Sequence, residues 1–556
     1  MNRSAVHPRR CHRPPARLSA APHRLRRRRH QQRRRRDDRD HHRPRRRHRG
    51  RGRAPARRRP DRRTRGRDRR AGTPPATSGR VSGHFVGSAV YDTLAMFDED
   101  GVAQPYLAGS FTPNDDSTQW EIGLREGVTF HDGTPLDAQA VVTNLEAYRA
   151  SGLVGPALRP VETVEVADPA TVRVPRCRSR GRPSPPPWRA RSATWWRPRP
   201  RERNGLARSP SAPDRSSSRN GCPTTDSSPP GTRTTGRRAS PDVDSVEFRP
   251  IIEAGQREDT LATGDLSMLH SSDVRSVEDL RSLADAGDIQ LVEDGGIGEE
   301  GFIMLNLSEP PTDDIRVRRA LAHAIDLEQY NEVVDVGVRS PARTPFIEGT
   351  PWYSQEAWDT YPDYDPAAAT QLIQEYEAEN GPVEIELQDT QGNDEELAFI
   401  QQAWEQVGVD VELTVTEQGV HIIDALGGDF QAVGWRLFGN PDPDGEYVWW
   451  DIENANPPPE IALNFARLRN EELQAAMNRG RATSDPDERK AAYDEAQTII
   501  NEELPYIWQN HTLWVFAGAN DVRNMAWYEL PDGTPGLGVY AGFPGATKLT
   551  DVWLDR

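Results

Sequence analysis

Two stretches of this 556-residue chain cannot contribute to a core. Residues 1–80 and 176–240 are rich in Arg, Pro and Ser, with neither the two-residue period of a strand nor the 3.6-residue period of a helix. With so little apolar surface to bury, they cannot offset the entropy of ordering a chain. Any fold must come from the remaining residues. The charge divides at the same borders. A net charge of −14 conceals +27 on residues 1–80 and +13 on residues 176–240, which leaves −54 on the body. A body so acidic repels nucleic acid and anionic membrane.

The three cysteines, Cys11, Cys177 and Cys222, all lie in the basic stretches, so the body has no disulfide framework and no thiolate metal site. No run of 18 apolar residues offers a membrane span. The N-terminus lacks the apolar centre of a signal peptide, and the chain as written reads as not exported. Only two lysines occur, Lys490 and Lys548, as expected of GC-rich codons that favour Arg, Ala, Gly and Pro.

Along the body the period switches in an α/β manner. Ser88–Gly101 reads as a helix closed by an Asp-Gly turn. Gln119–Phe130 alternates Trp120, Ile122 and Leu124 on one face, a half-buried strand, and His131–Pro135 is a turn. Asp137 opens a helix bearing Ala140, Val141, Leu145 and Tyr148, and Val161–Val174 is a hairpin about Asp168–Pro169. After Val243 come a strand, a helix, a Gly-Asp turn and a short strand. In Phe302–Val334, Asp313–Asp314 cap a helix whose Val317, Ala320, Leu321, Ala324 and Ile325 face a core. Asp365 and Pro366 open another helix. "VEIELQD", "EELAFIQQAWEQVG" and "VDVELTVTE" then read as strand, helix and parallel strand. Glu488–Gln509 supplies a late helix.

Taken in order, these segments resemble family 5 extracellular solute-binding proteins, the dipeptide-, oligopeptide- and nickel-binding receptors of ABC importers. The resemblance rests on "LAGSFTPNDDSTQWEIGLREGVTFHDGTPLDAQAVVTNLEA" (Leu107–Ala147), on the "PP…DIRVRRALAHAID" run and on the late helix. It covers Phe85–Val174 and Val243 to about Val552. It implies an α/β, type II periplasmic-binding-protein fold: two lobes with a hinge, an extra small domain, and no cofactor or catalysis. The domains expected are a start of the first lobe and small domain at 81–175, a first-lobe return at 241–270, a large lobe at 271–505 and a C-terminal return at 506–556.

The same resemblance bears on the basic stretches. Read one base out of frame, Pro210–Ser218, Asn220–Gly221 and Pro230–Gly236 permit "GTGPF…W…RNPDYW", a run of this family in its proper place. In the other frame Ala20–Arg28 permits "LLLTACGG", which looks like a lipoprotein cleavage box. Residues 1–80 and 176–240 are therefore expected to be translated out of frame and to stay out of the fold. The first lobe is then incomplete and the family's lipid anchor lost. The competing reading, nucleic-acid binding by arginine clusters such as "RRRRHQQRRRRDDRD", belongs to another function class.

In the peptide receptors of the family, a loop after a Trp carries an Asp that pairs with the peptide ammonium. The matching stretch is Ala432–Trp450, and its Trp is Trp435; Leu437 and Phe438 stand where the Asp would be, beside Arg436. The candidate ligand-binding residues are Trp435, Arg436, Leu437, Phe438 and Asn440. A guanidinium suits a carboxylate, sulfonate or phosphate, so Arg436 in the cleft would favour an anionic or carbonyl-bearing solute. Alternatively Arg436 pairs with an acid such as Asp442 and braces the loop, and Trp435, Phe438 and Tyr447 either stack on a solute or pack in the core.

Enzyme motifs are absent: there is no GxSxG, HExxH or P-loop. His84, His131, His270, His323, His421 and His511 are scattered without metal-ligand spacing. The expected partners are a small-molecule or peptide solute and permease subunits. The expected state is a monomer, and the location that of the family, the cell surface or periplasm.

Overall fold

A computed structural model describes residues 81–115, 117–152, 154–175, 220–222, 243–251, 253–437, 439–538 and 547–555. The basic stretches lie outside these residues, save for Asn220–Cys222. That short piece differs from expectation, for it pairs antiparallel with Val246–Phe248.

The small domain is a four-stranded antiparallel sheet under one helix. Strands β1 (Ala108–Pro113), β2 (Gln119–Leu124), β3 (Glu165–Asp168) and β4 (Thr171–Pro175) run in the order β1-β2-β4-β3. Ile122 and Leu124 of β2 and Val172 and Val174 of β4 turn inward onto helix α1 (Ala138–Arg149), which covers them with Ala138, Val141 and Leu145. The Asp137 carboxylate caps that helix by accepting the Ala140 N–H at 2.8 Å. Two residues from near the other end of the chain, Tyr528 and Leu530, complete this core.

Before the small domain the expected helix over Ser88–Gly101 is corrected. The helix is Val81–Val90, and Ala95–Phe97 is a strand paired with Ala103–Pro105. Leu94 to Phe97 are buried at every position, which a strand covered on both faces allows. The Asp98 carboxylate accepts the Val102 N–H at 2.8 Å and closes a turn there.

The central sheet has seven strands. They are β5 (Met268–Ser271), β6 (Ile289–Leu305), β7 (Ser340–Pro341), β8 (Glu384–Thr390), β9 (Asp410–Thr416), β10 (Ala432–Leu437) and β11 (Tyr506–Ala519). Their order is β7-β11-β6-β10-β8-β9, with β5 on the far half of β11. The helices used below are α2 (Val274–Asp285), α3 (Ile315–His323), α4 (Pro366–Asn380), α5 (Asp394–Gln406), α6 (Gln418–Gly427) and α7 (Pro486–Glu503). As the sequence indicates, β8 and β9 are parallel and joined through α5. Asp365 caps α4 by accepting the Ala367 and Ala368 N–H groups.

Strands β6 and β11, of 17 and 14 residues, are the longest elements of the sheet and serve two cores. The stretch Glu299–Leu305 lies between β10 and the first half of β11, and belongs to a large core running from Phe302 to Trp508 that includes Trp404, Leu321 and Ile400. The stretch Ile289–Asp294 pairs with Trp514–Ala519 and shares a smaller core with Leu269 of β5 and Val277 and Leu280 of α2. Between the pairs Asp294–Trp514 and Glu299–Thr512 the register shifts, so residues 295–298 oppose only Leu513. This irregularity separates the parts of β6 and β11 that serve the two cores. Residue 271, where the large lobe is expected to begin, ends β5, which shares the smaller core with α2.

Candidate functional site

Side-chain alternation along β10 separates the candidate residues onto two faces. Trp435 is paired with Phe302 and Leu437 with Glu300, on one face; Arg436 is paired with Gly301, on the other. Leu437 is 3% exposed and part of the large core, which corrects its placement as a ligand contact. Trp435 is half-buried and stacks on His421 of α6 at 5.2 Å, with Phe465 edge-on at 5.2 Å. His421 Nε2 meets the Gly434 carbonyl at 2.9 Å and fixes that stack. Asn440 donates to the Glu446 carboxylate and bridges the ends of the loop after β10. Phe438 lies outside the described residues.

Arg436 behaves differently. The alternative brace to Asp442 does not form, because Arg489 pairs with both oxygens of Asp442, each at 2.9 Å. Arg436 Nη1 donates instead to Ser272 Oγ at 3.1 Å and to Glu299 Oε2 at 3.4 Å, and 44% of its side chain remains exposed. Ser272 follows β5, whose Leu269 belongs to the smaller core. A second guanidinium, Arg339, donates to the Ser272 carbonyl at 2.7 Å and to Asp335 at 3.1 Å. Two arginines thus converge on one residue. Nearby His270 of β5 stacks on Trp514 at 5.4 Å.

Behind Arg436 lies a layer of carboxylates. Asp389, at the carboxyl end of β8, occupies the space above Gly434, where a Cβ would come within 2.2 Å of Asp389 Oδ2. Burial raises the Asp389 pKa, opposed by hydrogen bonds from the Thr390 backbone N–H and the Asn393 amide and by the nearness of Arg436. Glu396 of α5 accepts from Gln509 at 2.9 Å; burial, aided by Asp389, pushes its pKa up to about 7. Asp335 is raised by burial and held back by Arg339 and by Asn510, which donates at 3.0 Å. The carboxyl ends of parallel strands are where open α/β sheets receive ligands. Among the described residues no group of three or more His, Cys, Asp or Glu is arranged to hold a metal ion.

Glu299, Ser272, Trp514 and Arg339 were not legible as site residues. Their links to Arg436 and to one another span 67 to 215 positions in the chain. The only local signal is the Gly-Gly-Ile-Gly run at 295–298, which marks an irregularity inside a strand.

The pattern for bacterial extracellular solute-binding proteins, family 5, matches residues 102–180 and 236–457. The chain belongs to this family. A glutathione-binding protein GsiB of Salmonella paratyphi A is 27% identical over 455 residues, covering 76% of this chain and 83% of that protein. The GsiB of Escherichia coli K12 is 26% identical over the same length. Among solved structures, the oligopeptide-binding protein AppA of Bacillus subtilis, in complex with a nonapeptide, superposes with a TM-score of 0.69 at 18% identity, covering 86% of this chain and 95% of AppA. DppA of Helicobacter pylori, with the peptide STSA, gives 0.68 at 19% identity, covering 87% and 95%. These likenesses establish the type II periplasmic-binding-protein fold. Like the rest of the family, whose members are extracytoplasmic, the protein is the solute-binding component of an ABC importer. Its relatives are transport receptors, and nothing in the comparisons supports nucleic-acid binding.

Proposed function

We propose that the interlobe face around Arg436 takes the carboxylate of a small peptide-like solute. The observation that carries this reading is the reach of Arg436 from β10 to Ser272, which follows β5, with much of its guanidinium still exposed. Glutathione, peptides and agropinic acid, the solutes named for relatives and neighbours, all bear carboxylates. Burial raises the pKa values of the acids Asp389, Asp335 and Glu396, the last to about 7, which weakens their negative charge relative to the two guanidiniums that face such a group. Trp435 and Asn440 shape the loop beside the site. The protein then acts as a monomer, performs no chemistry on the solute, and passes it to a permease.

We also infer that residues 1–80 and 176–240 are out of frame and that the first lobe is consequently incomplete. The gap in the family match, residues 181–235, lies within the second stretch and supports this. Sequencing the locus tests it; intact coding DNA through both borders would overturn it.

The carboxylate reading is tested by calorimetric titration of the full chain with glutathione and with Ala-Gly-Gly and its C-terminal amide. The acid should bind at least tenfold more tightly than the amide. Arg436→Ala should weaken the acid about 10- to 100-fold, the worth of a charge-assisted bond of about 1.5–3 kcal/mol. Unchanged affinity in that variant would reduce Arg436 to a brace.

A further inference from the structure

A cavity of about 590 Å³ opens where the chain leaves β6 at Leu307 and Ser308. That volume is within the range of small-molecule sites. Its walls include Arg318, Arg467, Arg469 and Asn456, against the two acids Asp313 and Glu503. A net positive lining stands out in a body that carries −54.

The arginines are fixed through backbone carbonyls rather than carboxylates. Arg318 donates to the carbonyls of Glu503, Thr312 and Asp313 at 2.7–3.0 Å, and its approach to the Glu503 carboxylate is long, 3.5 Å. Arg467 donates to the carbonyls of Ala425, Leu426 and Phe465, and Arg469 to that of Ala455 at 2.9 Å. Carbonyls orient a guanidinium and use its protons without the full negative charge of a carboxylate; those of Ala425 and Leu426, in the last turn of α6, offer Arg467 only the partial charge of a helix end. Arg467 is 4% exposed and its Nε has no acceptor. Burial pushes its pKa down to about 10, opposed only by Glu309.

We propose that this cavity binds a small oxyanion, a phosphate or a short carboxylate, through Arg467 and Arg469, independently of the interlobe site. The buried Arg467 supplies fixed charge and a spare donor, while the more exposed Arg469 can close on the ligand. Asn456 offers a further amide at the rim.

The test titrates the full chain with sodium phosphate, and separately with sodium succinate, against chloride at equal ionic strength, following heat and melting temperature. A saturable response is expected below about 10 mM for at least one anion, and the tighter of the two identifies the source. Arg469→Ala should weaken it about tenfold, and Arg469→Lys should stay within about threefold. No saturation, or an equal response in the parent and both variants, would overturn the proposal. Should Arg469→Ala fail to fold by circular dichroism, phenylglyoxal labelling of the unsubstituted chain decides: the bound anion must slow modification of Arg469, and absence of protection overturns the proposal.

Discussion

Trp514 donates its indole N–H to Glu299 at 2.9 Å across the irregular stretch where β6 and β11 pass from one core to the other. Glu299 is 2% exposed and its Oε2 also receives Arg436. Trp514→Phe keeps the ring but strips a donor from a buried carboxylate. It should lower stability by about 1–3 kcal/mol, read as a reduced urea midpoint with unchanged m-value. A variant as stable as the parent would mean that Glu299 is satisfied by Arg436 alone.

Gly434 marks a contact that only a missing side chain permits. Gly434→Ala drives a methyl to within 2.2 Å of the Asp389 carboxylate and should cost about 1–3 kcal/mol by overpacking. Combining it with Asp389→Ala should recover part of the loss, so the two changes will be non-additive in a denaturation cycle. Strict additivity would show that the strain is relieved elsewhere.

Glu396 makes stability depend on pH in an unusual direction. Its pKa lies at about 7 in the folded chain, above its ordinary carboxylate value, so the folded state holds a proton that the unfolded state has released. The contribution is complete below the unfolded pKa and fades as pH rises through about 7. Glu396→Gln should flatten that decline in melts between pH 4.5 and 7.5. A decline of equal slope in the variant would acquit Glu396.

His511 pulls the other way. Burial pushes its pKa down to about 4, and neither ring nitrogen has a hydrogen-bond partner among the described residues. Its folded pKa is below its unfolded one, so stability present above pH 6.5 is lost as pH falls toward 4. His511→Leu removes the burial of an unpartnered polar ring and should gain stability relative to the parent at pH 5. A loss at that pH would show that the imidazole has a structural partner.

Trp404 gauges the large core. It is fully buried and its indole donates to the Leu321 carbonyl at 3.2 Å, so Trp404→Ala should cost about 3–5 kcal/mol in chemical denaturation. A cost below 1 kcal/mol would mean that the pocket collapses.

Much of the fold was legible because its signals are local. Asp137 and Asp365 stand as caps where their spacing placed them, and β2 buries Trp120, Ile122 and Leu124 as its alternation required. The early strand Ala95–Phe97 was missed because residues buried on both faces show no period to distinguish them from a helix. At the site, Arg436 could be singled out by type, but its partners could not: Glu299 and Ser272 are brought to it by sheet register and by tertiary packing, neither of which is written in a neighbouring residue. Leu437 shows the converse, since one step along a strand exchanges cleft for core.

The ends of the described chain meet. Ser88 donates to the Thr547 carbonyl, Lys548 is buried against Asp92 at 2.7 Å, and the Tyr528 hydroxyl donates to the Phe97 carbonyl across 431 positions. Those closing residues leave the ribosome 431 to 459 positions after the segments they cover. The early segments must therefore wait, unsealed, through a long stretch of synthesis before they can take their final form.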